Sequence, residues 1–298
     1  MCGIVGLFLK NKELQPELGA MLSRMLVTMS ARGPDSAGVA IYGAGEPDKV
    51  KLTLRVADGT DPAQLEGELA ATLASPVGAC VHSSHIVLTV ARSREAEALD
   101  WVKRRDDAVQ LVSVGSTMEI YKEVGLPERV AHAFGFAAMH GTHAVGHTRM
   151  ATESAVTTAG AHPFSTGEDQ CLVHNGSLSN HNAVRRTLQR EGMTFATQND
   201  SEVAAGYLTW RMKHGASLRE SLTSSLDDLD GFFTFVVGTR NGFAVLRDPI
   251  ACKPAVMAES DDYVAFGSEY RALSVLPNIA KARVFEPEPA TVYAWERP

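Results

Sequence analysis

Hydrophobic and polar positions along the first forty residues follow two different periods. Residues 4–9 form a short apolar run that follows Gly3 and contains Gly6, which is typical of a buried strand. Across residues 16–31 the apolar side chains recur at helical spacing, which predicts one amphipathic helix with its methionines in the core. Glycine and proline in residues 32–38 interrupt this pattern, and residues 39–42 favour a second strand.

A different order of elements appears between residues 46 and 138. The predicted elements are, in chain order, a strand at 49–57, a helix at 62–73, strands at 78–82 and 86–91, a helix at 95–105 and a strand at 109–114. This β-α-β-β-α-β order is typical of a ferredoxin-like module. A helical connector is predicted at residues 117–134. The pattern therefore predicts a main domain of residues 2–45 and 139–298, with an inserted subdomain and connector at 46–138.

The rest of the chain mixes strands and helices. Strands are predicted at residues 144–150 and 170–174, and helices at about 182–191, 201–213 and 217–226. Residues 232–295 are predicted to be mostly β, with Asn241-Gly242 as a hairpin turn. The fold class expected from these elements is α+β.

Composition excludes several classes of protein. The 298 residues contain 28 Lys and Arg against 35 Asp and Glu, a net charge of −7 without long charged runs, which argues against nucleic-acid binding and anionic-membrane binding. The apolar run near the N-terminus is too short for a signal peptide or a membrane span, so a cytoplasmic location is expected. The four cysteines lie far apart, which argues against a disulfide framework or a zinc knuckle.

Metal binding is not expected either. His140, His143 and His147 are spaced three and four residues apart, but they straddle the predicted domain junction and His147 falls in a predicted strand. A metal site needs convergent ligands and a supporting second layer of hydrogen bonds.

Cys2 has the most informative position in the chain. Removal of Met1 would leave a thiol and an α-amine on one residue, and an α-amine with a pKa of ~7.7–8.0 can accept the thiol proton. Nucleophile and base would then belong to the same residue. The alternative is a small apolar side chain at the start of a strand. If Met1 were retained, the α-amine would be part of a peptide bond and the site would be silent.

Three further segments supply groups that fit an α-amino acid with a side-chain amide. Arg149 ends a predicted strand, where a guanidinium can bind a carboxylate through two hydrogen bonds. Asn175-Gly176 follows another predicted strand and offers an amide and a backbone N–H for an oxyanion. Asp200 opens a predicted helix, as its N-cap or as a partner for a substrate ammonium. Taken singly, Arg149 is also consistent with a surface arginine, Asn175-Gly176 with a turn, and Asp200 with a helix cap.

The order of these motifs resembles class II glutamine amidotransferase domains, which are N-terminal-nucleophile hydrolases. The matching segments are Met1-Cys2-Gly3-Ile4-Val5-Gly6, Arg32-Gly33-Pro34-Asp35-Ser36-Ala37-Gly38, His147-Thr148-Arg149, His174-Asn175-Gly176 and Asn199-Asp200-Ser201-Glu202. The resemblance covers about residues 2–44 and 140–298 and implies a four-layer αββα sandwich for them. The predicted ferredoxin-like subdomain lies outside the common domain, as an insertion. The resemblance also implies hydrolysis of L-glutamine to glutamate and ammonia.

The resemblance assigns a role to each matching residue. Cys2 is the nucleophile, and Asn175 with Gly176 holds the oxyanion. Arg149, Thr152 and Asp200 bind the substrate, and Arg32 supports the Cys2 segment from behind.

The connector and the segment after it are most similar to separate amidotransferase subunits of glutamate-synthase-like complexes, including N-methylglutamate synthase. That similarity implies an FMN-dependent synthase subunit and a small β-helical subunit as partners, with FMN and an iron–sulfur cluster possible in those partners and no cofactor in this chain. Self-association is a further possibility. Two alternatives stay open, a stand-alone γ-glutamyl amide hydrolase and a catalytically silent scaffold or regulatory subunit.

The inserted subdomain contains none of the five motifs, so it is predicted to be a docking element for partner subunits or for another copy of the chain. Its position just before Arg149 leaves a second interpretation open, in which it folds over the glutamine pocket as a lid.

Overall fold

The computed structural model describes residues 2–105, 108–151 and 155–297. The strands are β1 (Gly3–Leu9), β2 (Ser36–Tyr42), β3 (Lys49–Val56), β4 (Gly78–His82), β5 (His85–Ala91), β6 (Val109–Gly115), β7 (Met118–Val124), β8 (His143–Arg149), β9 (Phe164–Gly167), β10 (Gln170–Leu178), β11 (Gly231–Thr239), β12 (Gly242–Arg247), β13 (Val256–Glu259), β14 (Tyr263–Gly267), β15 (Arg283–Phe285) and β16 (Val292–Glu296). The α-helices are α1 (Leu18–Thr28), α2 (Pro62–Leu73), α3 (Glu95–Lys103), α4 (Pro127–Phe134), α5 (His181–Arg190), α6 (Asp200–Lys213), α7 (Leu218–Asp228) and α8 (Tyr270–Leu273).

Over these described ranges the strands form three antiparallel sheets. The first sheet has the order β15-β13-β14-β1-β8-β2-β7, and the second has the order β16-β12-β11-β10-β9. One apolar core between them takes Ile4 and Phe8 from the first sheet and Val173 and Val236 from the second. The two sheets therefore pack face to face, as in a sandwich.

Helices cover the outer face of each sheet. In β1 the side chains alternate, so Val5, Leu7 and Leu9 point away from the inter-sheet core and pack against α1. On the other side, α6 and α7 pack against the outer face of the second sheet around residues such as Leu172 and Phe235. The layer order is helix, sheet, sheet, helix, which confirms the predicted αββα fold class.

The third sheet belongs to the inserted subdomain and has the order β4-β5-β3-β6. With α2 and α3 between its strands, it reproduces the predicted ferredoxin-like arrangement. Its own apolar core includes Leu52, Leu69 and Trp101. The two ends of the subdomain meet beside the sandwich, where Gly43 N donates to Thr117 O over 2.9 Å.

Two predicted elements were wrong in part. The connector is not helical over Met118–Val124, which form the edge strand β7 paired with β2, and only Pro127–Phe134 are α-helical. Met118 and Ile120 point into the inter-sheet core, and burying them favours the strand. The predicted helix 16–31 is a 3-10 turn at Lys12–Glu17 followed by α1. The division into residues 2–45 plus 139–298 and 46–138 stays a prediction.

Among residues 2–105, 108–151 and 155–297, no helix combines the length and the apolar character needed to cross a membrane.

Candidate active site

Cys2 lies immediately before β1, in the middle of the first sheet. Gly3 pairs with Thr148 of β8, so the Cys2 segment runs beside the end of the strand that carries Arg149. The Cys2 thiol is partly exposed, and its Sγ lies 3.9 Å from the carbonyl oxygen of Met150. The thiol therefore faces the loop that follows Arg149.

Arg32 holds the Cys2 backbone from behind. Its Nε donates to the Cys2 carbonyl oxygen over 2.9 Å, and its guanidinium is paired with Glu269 at 2.7 Å. Ser268 completes this support, since its hydroxyl accepts from Ile4 N and its own N–H donates to Ile4 O, both at 2.9 Å. Glu269 and Ser268 lie in the Gly-Ser-Glu segment after β14. Arg32 therefore lies against the backbone of Cys2, and its supporting role stays a prediction.

Arg149 is the last residue of β8, and its side chain is buried. Its guanidinium donates to Ala155 O at 3.4 Å, and a Cβ added at Gly160 would lie 3.4 Å from the same group. Asp35 fixes the backbone around it, because Asp35 N donates to Arg149 O over 3.0 Å and its carboxylate accepts from Ala151 N over 2.8 Å. Thr152, the other predicted contact beside Arg149, lies outside the described residues.

Asn175 and Gly176 are within β10, where they pair with Thr234 and Phe233 of β11. The sequence pattern placed them after the end of a strand, and the structure instead places both within it. Asn175 is buried, and its Nδ2 donates to the Cys2 carbonyl oxygen over 3.3 Å. The second sheet therefore reaches the nucleophile segment of the first sheet at this point.

Gly176 needs to be glycine because of its backbone. Its φ is +155°, and a Cβ there would lie 2.0 Å from the backbone oxygen of Phe232. A larger residue would displace β10 from β11, and with it the neighbouring amide of Asn175.

Asp200 is the first residue of α6, and Asn199 is the N-cap, whose side chain accepts from Ser201 N. This corrects the suggestion that Asp200 caps the helix. One carboxylate oxygen of Asp200 accepts from Leu178 N over 2.9 Å, which ties α6 to the end of β10. The other oxygen lies 3.3 Å from the Ser201 hydroxyl, and that hydroxyl contacts His174 Nδ1 at 2.9 Å. Asp200 is thus positioned by the strand that carries Asn175.

The histidines considered for metal binding have separate contacts. His140 Nδ1 lies 2.8 Å from Pro16 O, His143 Nε2 lies 2.8 Å from Thr239 O, and His147 Nε2 lies 3.1 Å from His174 O. His147 stacks on His162, and burial lowers the pKa of His147 to about 3. Within the described part of the chain, no group of three or more His, Cys, Asp and Glu side chains is arranged to hold a metal ion.

The sequence pattern did not single out several residues that surround the candidate site. Asp35 and Gly38 lie in a recognised motif, but their contacts with the loop after β8 were not predicted. At Gly38, a Cβ would lie 2.3 Å from His162 O, so this loop crosses the strand at very close range. Lys122 and Glu123 also contact the loop, and they lie in the segment that was expected to be a helix.

Comparisons with known proteins agree with the motifs. Residues 147–275 match a family described as "Glutamine amidotransferase domain". Glutamine amidotransferase-like protein GlxB of Rhizobium meliloti (strain 1021) is 60% identical over 297 residues, which cover 99% of this chain and 98% of that protein. Glutamine–fructose-6-phosphate aminotransferase (isomerizing) of Vibrio vulnificus (strain YJ016) is 34% identical over 133 residues, or 45% of this chain and 22% of that protein.

Among solved structures, glutamine phosphoribosylpyrophosphate amidotransferase from B. subtilis, complexed with ADP and GMP, has a TM-score of 0.61. The identity is 18%, and the match covers 99% of this chain and 49% of that one, so this chain spans about half its length and the likeness concerns the fold. From the fold, the ordered motifs and the full-length relative together, the chain belongs to the class II glutamine amidotransferases, which are N-terminal-nucleophile hydrolases.

Proposed function

We propose that this chain hydrolyses L-glutamine to L-glutamate and ammonia, with Cys2 as the nucleophile. The contact that carries the proposal is the 3.3 Å hydrogen bond from Asn175 Nδ2 to the Cys2 carbonyl oxygen. It brings an amide donor from the second sheet to the residue that bears the thiol on the first sheet. Acyl transfer from an amide requires a nucleophile and a hydrogen-bond donor for the oxyanion, and the two residues in contact carry these groups.

In the proposed reaction the Cys2 thiol adds to the side-chain amide carbon of glutamine, and its proton passes to the Cys2 α-amine, which is free once Met1 is removed. The carbonyl oxygen becomes an oxyanion that accepts hydrogen bonds from Asn175 Nδ2 and Gly176 N. Cleavage of the C–N bond releases ammonia, which takes up the proton from the α-ammonium. Water then attacks the thioester, releases glutamate and returns a proton to the thiolate.

The proposal gives the charged side chains the task of orienting glutamine. Arg149 binds the α-carboxylate and Asp200 binds the α-ammonium, with Thr152 as a further contact. Arg32 keeps the Cys2 carbonyl oriented through its 2.9 Å hydrogen bond. Orientation of this kind places the amide carbon within reach of the thiol.

Substitution of Cys2 tests the assignment. Cys2→Ala is expected to abolish glutamate release while the protein stays folded, because the proposed reaction has one nucleophile. Cys80→Ala and Cys252→Ala are the matched controls, since both thiols are free and exposed, and both variants should turn over glutamine like the wild type. Turnover by Cys2→Ala above a few per cent of the wild-type rate would contradict the proposal. The N-terminal mass of the native protein tests the removal of Met1.

We further infer that the ammonia passes to an FMN-dependent synthase subunit, with a small β-helical subunit in the same complex, as in glutamate synthase or N-methylglutamate synthase. The similarity of the connector and of the segment around Arg149 supports this partner class. Purification of the tagged chain from its native host should yield both subunits with the absorbance of a bound flavin. A chain that purifies without them and hydrolyses γ-glutamyl amides at full rate would instead favour the stand-alone hydrolase. A chain that purifies with them but is inactive with glutamine would favour the silent subunit.

A further inference from the structure

The loop between Arg149 and β9 is held by two consecutive residues of β7, Lys122 and Glu123. We call residues 155–163 the pocket loop, because Ala155 O accepts from the Arg149 guanidinium and Gly160 lies against it. Consecutive residues of a strand point to opposite faces of the sheet. Lys122 and Glu123 therefore contact the pocket loop from opposite faces of the edge strand.

Lys122 binds backbone carbonyls of the pocket loop. Its ammonium donates to Ala161 O over 2.8 Å and to Ala159 O and Pro163 O over 3.3 Å each. The side chain is buried, and its Nζ lies 4.8 Å from the centre of the Phe164 ring. Burial lowers the pKa of Lys122 to about 8, an effect that the nearby Glu202 partly opposes. A buried ammonium with three carbonyl partners strongly restricts the path of the backbone that supplies them.

Glu123 connects the pocket loop to the inserted subdomain, because one carboxylate oxygen contacts the loop and the other contacts the subdomain. Its Oε1 accepts from the Thr158 hydroxyl of the pocket loop. Its Oε2 accepts from the Ser84 hydroxyl over 2.8 Å and lies 3.9 Å from Arg55 Nε, both in the inserted subdomain. Burial alone would raise the pKa of Glu123, but the hydrogen bonds from Thr158, the Val124 backbone and Ser84 lower it overall. The carboxylate is thus charged and shared between the two regions.

We propose that Lys122 and Glu123 are positioning residues for glutamine binding: they clamp the pocket loop against Arg149, and Ser84 of the inserted subdomain holds Glu123 in place. The inference rests on the proposed role of Arg149 as the carboxylate-binding residue. It gives the inserted subdomain an effect on glutamine affinity, carried by a single carboxylate, without any contact between the subdomain and the reacting atoms.

Two substitutions each remove one of the hydrogen bonds through which Glu123 links the pocket loop to the subdomain. Thr158→Val keeps the shape of the side chain and removes the donor to Glu123 on the side of the pocket loop. Ser84→Ala removes the donor on the side of the subdomain. Lys51→Met is the matched control, because the 2.7 Å ion pair between Lys51 and Glu119 also joins the subdomain to β7 but does not involve the pocket loop.

Steady-state kinetics with glutamine separate positioning from general damage. Thr158→Val is expected to raise KM about tenfold and to leave kcat within about twofold, as for the loss of one hydrogen bond to a charged group that acts on binding. Ser84→Ala should raise KM by a smaller factor, about threefold. Lys51→Met should match the wild type. Wild-type KM values for both Thr158→Val and Ser84→Ala, or equal effects from all three substitutions, would overturn the proposal.

A second measurement keeps this inference separate from the proposed function. Amide hydrogen exchange over residues 155–163 should become faster in Thr158→Val and Ser84→Ala but not in Lys51→Met, and unchanged exchange would overturn the clamp. Covalent labelling of Cys2 by a diazoketone analogue of glutamine tests the proposed function in the wild type. If the wild type neither hydrolyses glutamine nor reacts with the analogue, the proposed glutaminase activity is refuted. If the wild type reacts but Thr158→Val has the wild-type KM and the wild-type hydrogen exchange, only the clamp is refuted.

Discussion

The sandwich and the inserted subdomain build their cores in different ways. In the subdomain, one continuous stretch of chain supplies the strands, the helices and the apolar side chains, such as Leu54 and Leu69, that close the core. In the sandwich, β1 pairs with β8 and β14, which are far away in sequence, as in the pairs Gly3–Thr148 and Val5–Gly267. The candidate site depends on these distant pairings. In the described part of the chain, the subdomain is linked to the site through Ser84 and Arg55, which contact Glu123 of β7.

The junction between the subdomain and β7 includes charged groups with directed hydrogen bonds. Asp169, a buried residue of the sandwich, accepts from Ser116 N and Oγ, from Thr117 N and Oγ1, from Met118 N and from Arg240 Nε. These contacts fix the segment where the chain returns from the subdomain to β7. Directed bonds of this kind specify one orientation, which a purely apolar contact would specify less sharply. We therefore expect substitutions in the sandwich to change the catalytic rate, and changes in the subdomain to alter only how the glutamine-binding residues are positioned.

The largest expected effects come from the two sheets of the sandwich. Asn175→Ala should lower kcat by ~10²–10³, because it removes a proposed oxyanion donor. Arg149→Ala should weaken glutamine use by ~2–5 kcal/mol, mainly through KM, because it removes one member of a charge pair with the substrate. Leu69→Ala is the control from the subdomain, and it should lower stability by ~2–5 kcal/mol without lowering kcat. An Asn175→Ala variant with altered KM and normal kcat would contradict this division of roles.

Removal of the subdomain should have an intermediate effect. Gly45 and Ser116 are close enough that a Cβ at Gly45 would lie 3.0 Å from Ser116 O, so a short flexible linker can replace residues 46–115. The deletion must end before Met118, because β7 belongs to the first sheet. The isolated variant should keep its kcat and show the raised KM of Ser84→Ala, while assembly with the proposed partner subunits is lost. Glutaminase assays and size-exclusion chromatography with the partners measure both properties.

The opposite outcome would identify a lid. A deletion variant that assembles normally but no longer hydrolyses glutamine at any concentration would show that the subdomain closes the pocket instead of docking a partner.

The sequence predicted local structure better than distant contacts. The order of elements in the subdomain could be predicted because its strands and helices pair with near neighbours and each has its own period. β7 was mistaken for a helix because Glu119, Lys122 and Glu123 interrupt its apolar alternation. Those charged side chains have partners in the subdomain and the pocket loop, and the partners become visible only when the chain is folded.

The candidate site shows the same limit. Cys2, Arg149, Asn175, Gly176 and Asp200 were proposed from ordered motifs and a family resemblance, and no periodicity in the sequence pointed to them. The pattern placed Asn175-Gly176 after a strand, since Asn-Gly is also a strong turn sequence. The pairing of β10 with β11 keeps these residues in the strand, and that pairing depends on residues more than fifty positions away. The contacts of Lys122 with the pocket loop had no sequence signal.

The last expected effect concerns the dependence of stability on pH, and it compares the two regions directly. Burial lowers the pKa of His85, in the subdomain, and of His143, in the sandwich, to about 4 in each case. Unfolded histidine has a pKa of about 6.5, so between about pH 6.5 and pH 4 the unfolded chain binds more protons and the free energy of unfolding falls as the pH decreases. Each histidine should account for a loss of about 2 kcal/mol between about pH 7.5 and pH 5.

Urea unfolding of His85→Phe at a series of pH values tests this for the subdomain. The aromatic ring keeps the contact with Phe134, whose centroid lies 5.0 Å away, but it cannot take up a proton. The variant should therefore lose about 2 kcal/mol less than the wild type over the same interval, and the exposed His132, replaced by Gln, supplies the control. If the subdomain unfolds separately from the sandwich, the difference will appear only in the transition of the subdomain. A single shifted transition would instead mean that the junction at β7 couples the two regions into one cooperative unit.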